Sequence, residues 1–394
     1  MDPLSLPRKL TSSVTGALGD LVRSPATAEW VSQMEDGLTE RRHASRVEEG
    51  RLLGVRVIVY RGWISQGVAR IRLRVVEAAE LPGSSAIPYY DVVSTNLRRH
   101  ATLAFPDVAV SVEIAGKTEQ VRTDRHGFAS AKVHVGDIPA GWHEIRVSVP
   151  AEDPSEPDFV KRGRALRPPD NARIAIISDI DDTILRTGLD EGFAALRRTL
   201  FGEAATRRSV PGMSSLYRGI SRGVIAHGES RPGRPGVFYV STGSWAFYEM
   251  LVQFLQLRGF PRGPLFLTDW GPSDRYLRRS GRDHKEVAIQ RIADGYLDMP
   301  LVMIGDSGQN DPAIYTEFAI ANPGRVKLIL IIAAGSGSQE KTEQWRSDAP
   351  GLRDQGAPLH VVDDALEAAR LCVDLGMCDP LTIEEVETEV GAIF

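Results

Sequence analysis

Three aspartates crowd the end of one short apolar run. The segment reads IAIISDIDDTILRTG over 174–188, which puts Asp179, Asp181 and Asp182 within four positions. Carboxylates that close repel one another, and burial disfavours their charged forms further. Such a cluster persists where solvent, a shared proton or a metal absorbs the charge. A hard cation such as Mg²⁺ suits it, because it takes oxygen ligands. Two further clusters have the same form. VFYV at 237–240 runs into Ser241-Thr242-Gly243-Ser244, bringing hydroxyls and backbone N–H groups to the start of a helical pattern. A helix N-terminus with such donors favours an anion. LVMI at 301–304 opens into GDSGQND, with Asp306 and Asp311 five positions apart and glycines that permit close approach.

These clusters need a scaffold that brings strand ends together. RIAIIS, VFYVS, LVMIG and KLILIIAA are runs suited to strands covered on both faces. Helical patterns fall at 190–200, 244–258, 283–294, 311–319 and 363–375. Alternation of this kind predicts an α/β domain with a mostly parallel sheet, over 172–380. All three clusters then lie at carboxyl ends of strands, where open α/β sheets place ligands.

Upstream, residues 54–150 hold short β-branched runs separated by turn residues, which predicts a small β-sandwich-like domain. Residues 151–171, charged and flanked by prolines, read as a linker. Residues 1–53 read as a helical and charged extension, with an amphipathic pattern at 8–23 that suits docking on a domain or lying on a membrane surface. Residues 381–394 read as a C-terminal tail.

Composition narrows the function classes. The 394 residues carry a net charge of -5, so no broad positive field for nucleic acid is expected. Cys372 and Cys378 are the only cysteines, too few for a structural zinc site and too close in sequence to staple a domain. Neither a secretory leader nor an apolar run of about 20 residues is present, so a cytoplasmic protein is expected. Gly305-Asp306-Ser307-Gly308 looks locally like a serine-protease loop, but a triad needs an oriented histidine, and the surrounding pattern is α/β.

In order along the chain, Asp179-Ile180-Asp181-Asp182-Thr183, Ser241 after a strand, Lys285 and Gly305-Asp306…Asp311 resemble the four motifs of haloacid dehalogenase-like phosphohydrolases. The strings DIDDTI, FYVSTGSW, GFPRGPLFLTDWG, HKEVAIQRI and IGDSGQNDPAIY resemble the actin-patch-associated phosphatidate phosphatase family. VIVYRGW and TDRHGF fit its bacterial-type members, which place a β-rich domain first. The likeness spans roughly residues 54–375.

The resemblance implies a haloacid dehalogenase-like Rossmannoid fold and a Mg²⁺-dependent phosphomonoester hydrolase. Asp179 would be the nucleophile and Asp181 the general acid and base. Thr183 and Ser241 would hold phosphoryl oxygens, and Lys285 would neutralise charge. Asp179, Asp306 and the carbonyl of Asp181 would hold the metal, with Asp311 completing or orienting the shell. Asp182 suits N-terminal stabilisation of a following helix. Phosphatidate is the implied substrate; a soluble or nucleotide phosphate, and a non-catalytic binding module, are the alternatives. Only some 50 residues separate the first motif from the second strand, which leaves no evident independent cap. Arg275, Arg278, Arg279 and Arg282, with Arg207 and Arg208, read as a solvated face or as a rim for peripheral contact with anionic lipid. Two departures, Ser244 before Trp245 and the Ala333-Ala334-Gly335 strand end, bear on the lipid substrate and spare the aspartates.

Overall fold

In the computed structural model the described residues are 54–78, 104–151, 155, 157–184, 210–224, 233–268, 281–297, 299–333 and 338–392. The patterns at 8–23 and 190–200, and Arg207, Arg208, Arg275, Arg278 and Arg279, lie outside them. Among the described residues, eight strands form the first domain. They are β1 (Val55–Val59), β2 (Gly62–Ser65), β3 (Val68–Glu77), β4 (Ala109–Ile114), β5 (Lys117–Arg122), β6 (Phe128–His134), β7 (Gly141–Val149) and β8 (Phe159–Arg167). The hairpins β2–β3 and β4–β5 turn on Gln66-Gly67 and Ala115-Gly116, with positive φ at both residues of each pair. That geometry matches the twist of the flanking strands. Period-two alternation then buries Ile71, Leu73 and Val75 against Val110, Val112 and Ile145.

Two expectations are corrected here. Two separate sandwich sheets are not formed: the strands join one curled mixed sheet in the order β1-β3-β2-β8-β7-β4-β5, with β6 also paired to β3. The link is β8, antiparallel to β7 and parallel to β2. That strand lies within the stretch read as a linker. Its prolines flank Phe159–Arg167 rather than interrupt it, and its charged side chains face mainly outward while the backbone pairs.

Among the described residues, the second domain is a parallel sheet of six strands: β9 (Ala175–Asp179), β10 (Val237–Ser244), β11 (Leu265–Thr268), β12 (Leu301–Asp306), β13 (Val326–Ile332) and β14 (Leu359–Val362). Their order is β11-β10-β9-β12-β13-β14, and every registered pair is parallel. The described helices are α1 (Met213–Arg222), α2 (Tyr248–Leu257), α3 (Gly281–Gly295), α4 (Asp311–Ala321), α5 (Gln339–Asp354), α6 (Ala365–Asp374) and α7 (Leu381–Gly391). Alternate strand residues face opposite layers. Ile176, Tyr239 and Val302 pack with α1, α2, α6 and α7. Ile177, Phe238 and Met303 pack with α3, α4 and α5. The fold is thus a two-domain α/β architecture.

The segment expected as a tail is α7, a correction with a physical cause. Val386 is fully buried, and Glu389 accepts from Ser214 Oγ at 2.9 Å and the Ser215 N–H at 2.8 Å. The carboxylate thereby caps the first turn of α1, whose N-cap is Gly212 and has no side-chain cap of its own. Arg222 adds a two-pronged bond to Glu385, 2.7 Å on each prong. No helix among the described residues is long and apolar enough to cross a membrane.

Residues 60–63 dock one domain on the other by reaching both layers of the parallel sheet. Tyr60 joins the α1/α2 layer, with ring centroids 4.3 Å from Trp245 and 4.7 Å from Tyr248. Trp63 joins the opposite layer, 5.9 Å from Tyr296 and 6.5 Å from Phe238. The Arg61 N–H donates to Tyr248 Oη at 2.7 Å.

Candidate active site

Strand ends build this site. β9 delivers Asp179 at its last position and β12 delivers Asp306, with Asp311 opening α4 and Lys285 in the first turns of α3. Oxygens of Asp179, Asp306 and Asp311 lie within 4.8 Å of one another, and all three residues are buried. Lys285 Nζ stands 2.7 Å from Asp179 Oδ1 and 2.5 Å from Asp311 Oδ1. Asp306 Oδ1 accepts from the N–H groups of Gly308 and Gln309 at 2.7 and 3.1 Å. Among the described residues, Asp179 Oδ2, Asp306 Oδ2 and Asp311 Oδ2 have no hydrogen-bond partner. Each such buried orphan costs about 1–3 kcal/mol or more when charged. Three at one point make a donor set of hard oxygens suited to a divalent cation.

Position 305 has to be glycine for this cluster to close. A Cβ there would come within 2.6 Å of Asp311 Oδ2 and 2.7 Å of Asp311 Cβ. Real Cβ atoms do not approach so closely, so any side chain would push Asp311 off Lys285.

The Asp181 carboxyl accepts from Ser241 Oγ at 2.8 Å and feels the charges of Lys285 and Asp311. Ser241 Oγ in turn accepts from the Gly243 N–H at 2.9 Å. Thr183, two residues on, is fully buried with Oγ1 unpartnered. Asp182 is corrected: it lies in a turn at φ 55, half exposed, and not in the first turn of a helix. Left-handed backbone is tolerated better by Asp than by most residues.

Electrostatics follow from burial. Desolvation, then the charge of Asp311, pushes Asp179 well above the usual carboxylate range, and Lys285 only partly offsets this. Burial also raises Asp181 against the opposing Ser241 bond. Burial and Asp311 push Asp306 up to about 7. Burial alone would lower the Lys285 ammonium, but Asp179 and Asp311 outweigh it and hold it protonated.

The structure also supplies residues that spacing did not flag. Gln309 Nε2 donates to the Asp181 carbonyl at 3.3 Å, the oxygen that the resemblance assigns to the metal. Thr268 Oγ1 donates to the carbonyls of Thr242 and Gly243 at 2.7 and 3.1 Å, tying the irregular end of β10 to β11. Ser178 Oγ donates to the Asp179 carbonyl at 2.6 Å and meets Tyr217 Oη at 2.6 Å. A loop amide on a buried carbonyl and a hydroxyl inside a strand carry no spacing signal.

The sequence from Ile174 to Ile332, which holds every residue of this site, matches the family model for the catalytic domain of phosphatidate phosphatase APP1. This stretch is thus similar to a phosphatidate-phosphatase catalytic domain of the APP1 kind. Phosphatidate phosphatase APP1 of Saccharomyces cerevisiae is 24% identical over 251 residues, which cover 61% of this chain and 40% of that protein. An uncharacterized protein of Schizosaccharomyces pombe is 26% identical over 163 residues, 41% of this chain and 25% of that one. The chain thus spans less than half the length of either relative. Among solved structures, the multi-modular chitinase ChiW from Paenibacillus covers 78% of this chain and 32% of its own at 12% identity, with a TM-score of 0.18. A likeness that weak has no bearing on this site.

Proposed function

We propose that this protein is a Mg²⁺-dependent phosphomonoester hydrolase that works through an aspartyl-phosphate, with phosphatidate as its substrate. The observation that carries the reading is the trio of orphaned oxygens on Asp179, Asp306 and Asp311 beside Lys285. A pure binding module has no use for three unsatisfied buried carboxylates next to a fourth held by a serine. The APP1-like match supports the reaction class and is the ground for choosing a lipid phosphate as substrate. On the same reading, the parallel-sheet domain is a haloacid dehalogenase-like Rossmannoid unit. The protein is then cytoplasmic, with peripheral membrane contact.

Asp179 attacks phosphorus, and Asp181, whose carboxyl burial pushes above the ordinary range, gives its proton to the leaving oxygen. The Asp181 carboxylate left behind then takes a proton from water as the acyl phosphate is hydrolysed. One acid/base residue thereby serves both halves of the reaction. Lys285 stays charged and offsets the repulsion between carboxylate and phosphate. Ser241 and Thr183 offer hydroxyl donors to phosphoryl oxygens, and Ser241 holds Asp181 until substrate arrives. Asp179 and Asp306 would hold Mg²⁺ with Asp311 at its edge, and when bound the ion supplies further positive charge at the phosphate.

Phosphate release should be measured over phosphatidate vesicles and soluble monoesters, with and without Mg²⁺. Release that requires Mg²⁺ and is fastest on vesicles is expected. Release confined to soluble esters would replace the lipid substrate, and no release from any ester would overturn the enzyme reading.

A further inference from the structure

The parallel sheet does not hold the Ser241 loop in place by itself. Register between β10 and β11 breaks between Val240 and Ser244, so residues 241–243 leave the ladder. Their position depends on side-chain anchors at either end. One anchor is Thr268, already described. The other is Trp245, which directly follows Ser244. The Ser244 hydroxyl accepts from the Ala246 N–H at 3.2 Å and so caps the short turn Trp245–Phe247.

Besides Tyr248 of its own domain, 6.1 Å away between centroids, Trp245 is packed by residues of the other domain. Tyr60 packs against it with ring centroids 4.3 Å apart and the planes tilted by 46°, a close ring contact. The Arg72 guanidinium sits 5.2 Å from the Trp245 ring and 4.6 Å from Phe128, which also stacks with Tyr60. Tyr60 and Trp245 are both buried. A continuous path thus runs from Tyr60 to Trp245, through the Ser244 cap to the Gly243 N–H, then to Ser241 Oγ and Asp181. Three residues, 242–244, lie between the ring contact and the serine; Ser244 is back in register opposite Thr268, while 242 and 243 are outside the ladder.

We infer that Tyr60 is a positioning residue for the Ser241 loop, so the β-rich domain is a working part of the phosphate site rather than an appended module. The effect on turnover rests on the function proposed above; the structural link does not. A shift of about 1 Å at a reacting group can cost about a hundredfold in rate. Asp179, Asp306 and Asp311 sit on β9 and at the β12–α4 junction, and the path bypasses them.

The test compares Tyr60→Leu, which keeps apolar bulk without the ring, with Tyr60→Phe, which keeps the ring. Trp63→Phe, which perturbs docking at the opposite layer, is the control. Hydrogen exchange followed by mass spectrometry should show faster exchange of the 241–247 peptide in Tyr60→Leu, with 301–306 unchanged. Tyr60→Phe and Trp63→Phe should match the wild type at 241–247. On a small soluble phosphomonoester, kcat should fall about tenfold to a hundredfold in Tyr60→Leu. KM and calorimetric Mg²⁺ affinity should hold, and Tyr60→Phe should restore turnover. Unchanged protection at 241–247 in Tyr60→Leu would overturn the inference. So would a loss of protection spread equally over both domains, or an equal loss at 241–247 in Trp63→Phe. If the wild type hydrolyses no phosphomonoester, the proposed function fails, and the exchange comparison still decides the role of Tyr60.

Discussion

Burial gives the carboxylates of this site both their reactivity and their cost. Asp306 titrates at about 7 in the folded protein against an ordinary 3.8, so between those values the native state binds a proton that the unfolded state does not. Stability from this group is therefore lost as pH rises through that window. In EDTA, Asp306→Asn should melt above the wild type at pH 8, by several degrees, and the gap should close towards pH 4. Saturating Mg²⁺ should stabilise the wild type and not the variant; a pH-independent gap in thermal melts would contradict the assignment. For Asp181, the proposed proton donor, Asp181→Asn should slow both formation and breakdown of the phosphoenzyme by about 10²-fold or more. Rapid-quench kinetics read the two steps separately, and a normal breakdown rate would remove Asp181 from the second one. Asp179, Asp306 and Asp311 were legible because each ends or follows an apolar strand. Gln309 was not, since nothing in an Asn/Gln/Gly loop says which carbonyl an amide will reach.

Among the elements, the junction of β12 with α4 is the tightest. Gly305→Ala would drive a methyl into Asp311, and overpacking of this kind costs about 1–3 kcal/mol. It should also weaken Mg²⁺ binding in calorimetry, since Asp311 must move; unchanged metal affinity would take the glycine out of the cluster's geometry. Four central strands could be read from sequence because β-branched runs buried on both faces leave a continuous apolar signal. The edge strands could not. β11 is four residues after a Pro/Gly-rich turn and β14 is equally short; β8, an interior strand, escaped as well because four of its nine residues are charged. The helix α5 escaped for a related reason. Only Thr342 and Ala349 of its sixteen residues are fully covered, and Pro350 lies inside it.

Across the whole molecule, residues far from the chemistry close the structure. α7 covers α1 through Val386, the Arg222–Glu385 pair and the Glu389 cap. A chain ending at Pro380 should lose about 2–5 kcal/mol, from uncovering apolar surface and breaking a partly buried ion pair. Urea unfolding would measure it, and an unchanged midpoint would show that α7 is dispensable. The sequence revealed two domains through the change from period-two runs to strand–helix alternation. It did not reveal how they meet, because Tyr60 and Trp63 look like any aromatic residues flanking a strand until both layers of the other sheet are seen around them.

The central claim is that Asp179 forms a covalent bond to phosphorus. Acid-quenched protein, mixed with a phosphomonoester and Mg²⁺ and mapped by peptide mass spectrometry, tests it directly. The expected result is a phosphoryl group on Asp179 that requires Mg²⁺, decays with turnover and is absent from Asp179→Asn. Turnover with no phosphopeptide at any quench time, or an Asp179→Asn variant with near wild-type rate at saturating metal, would contradict it.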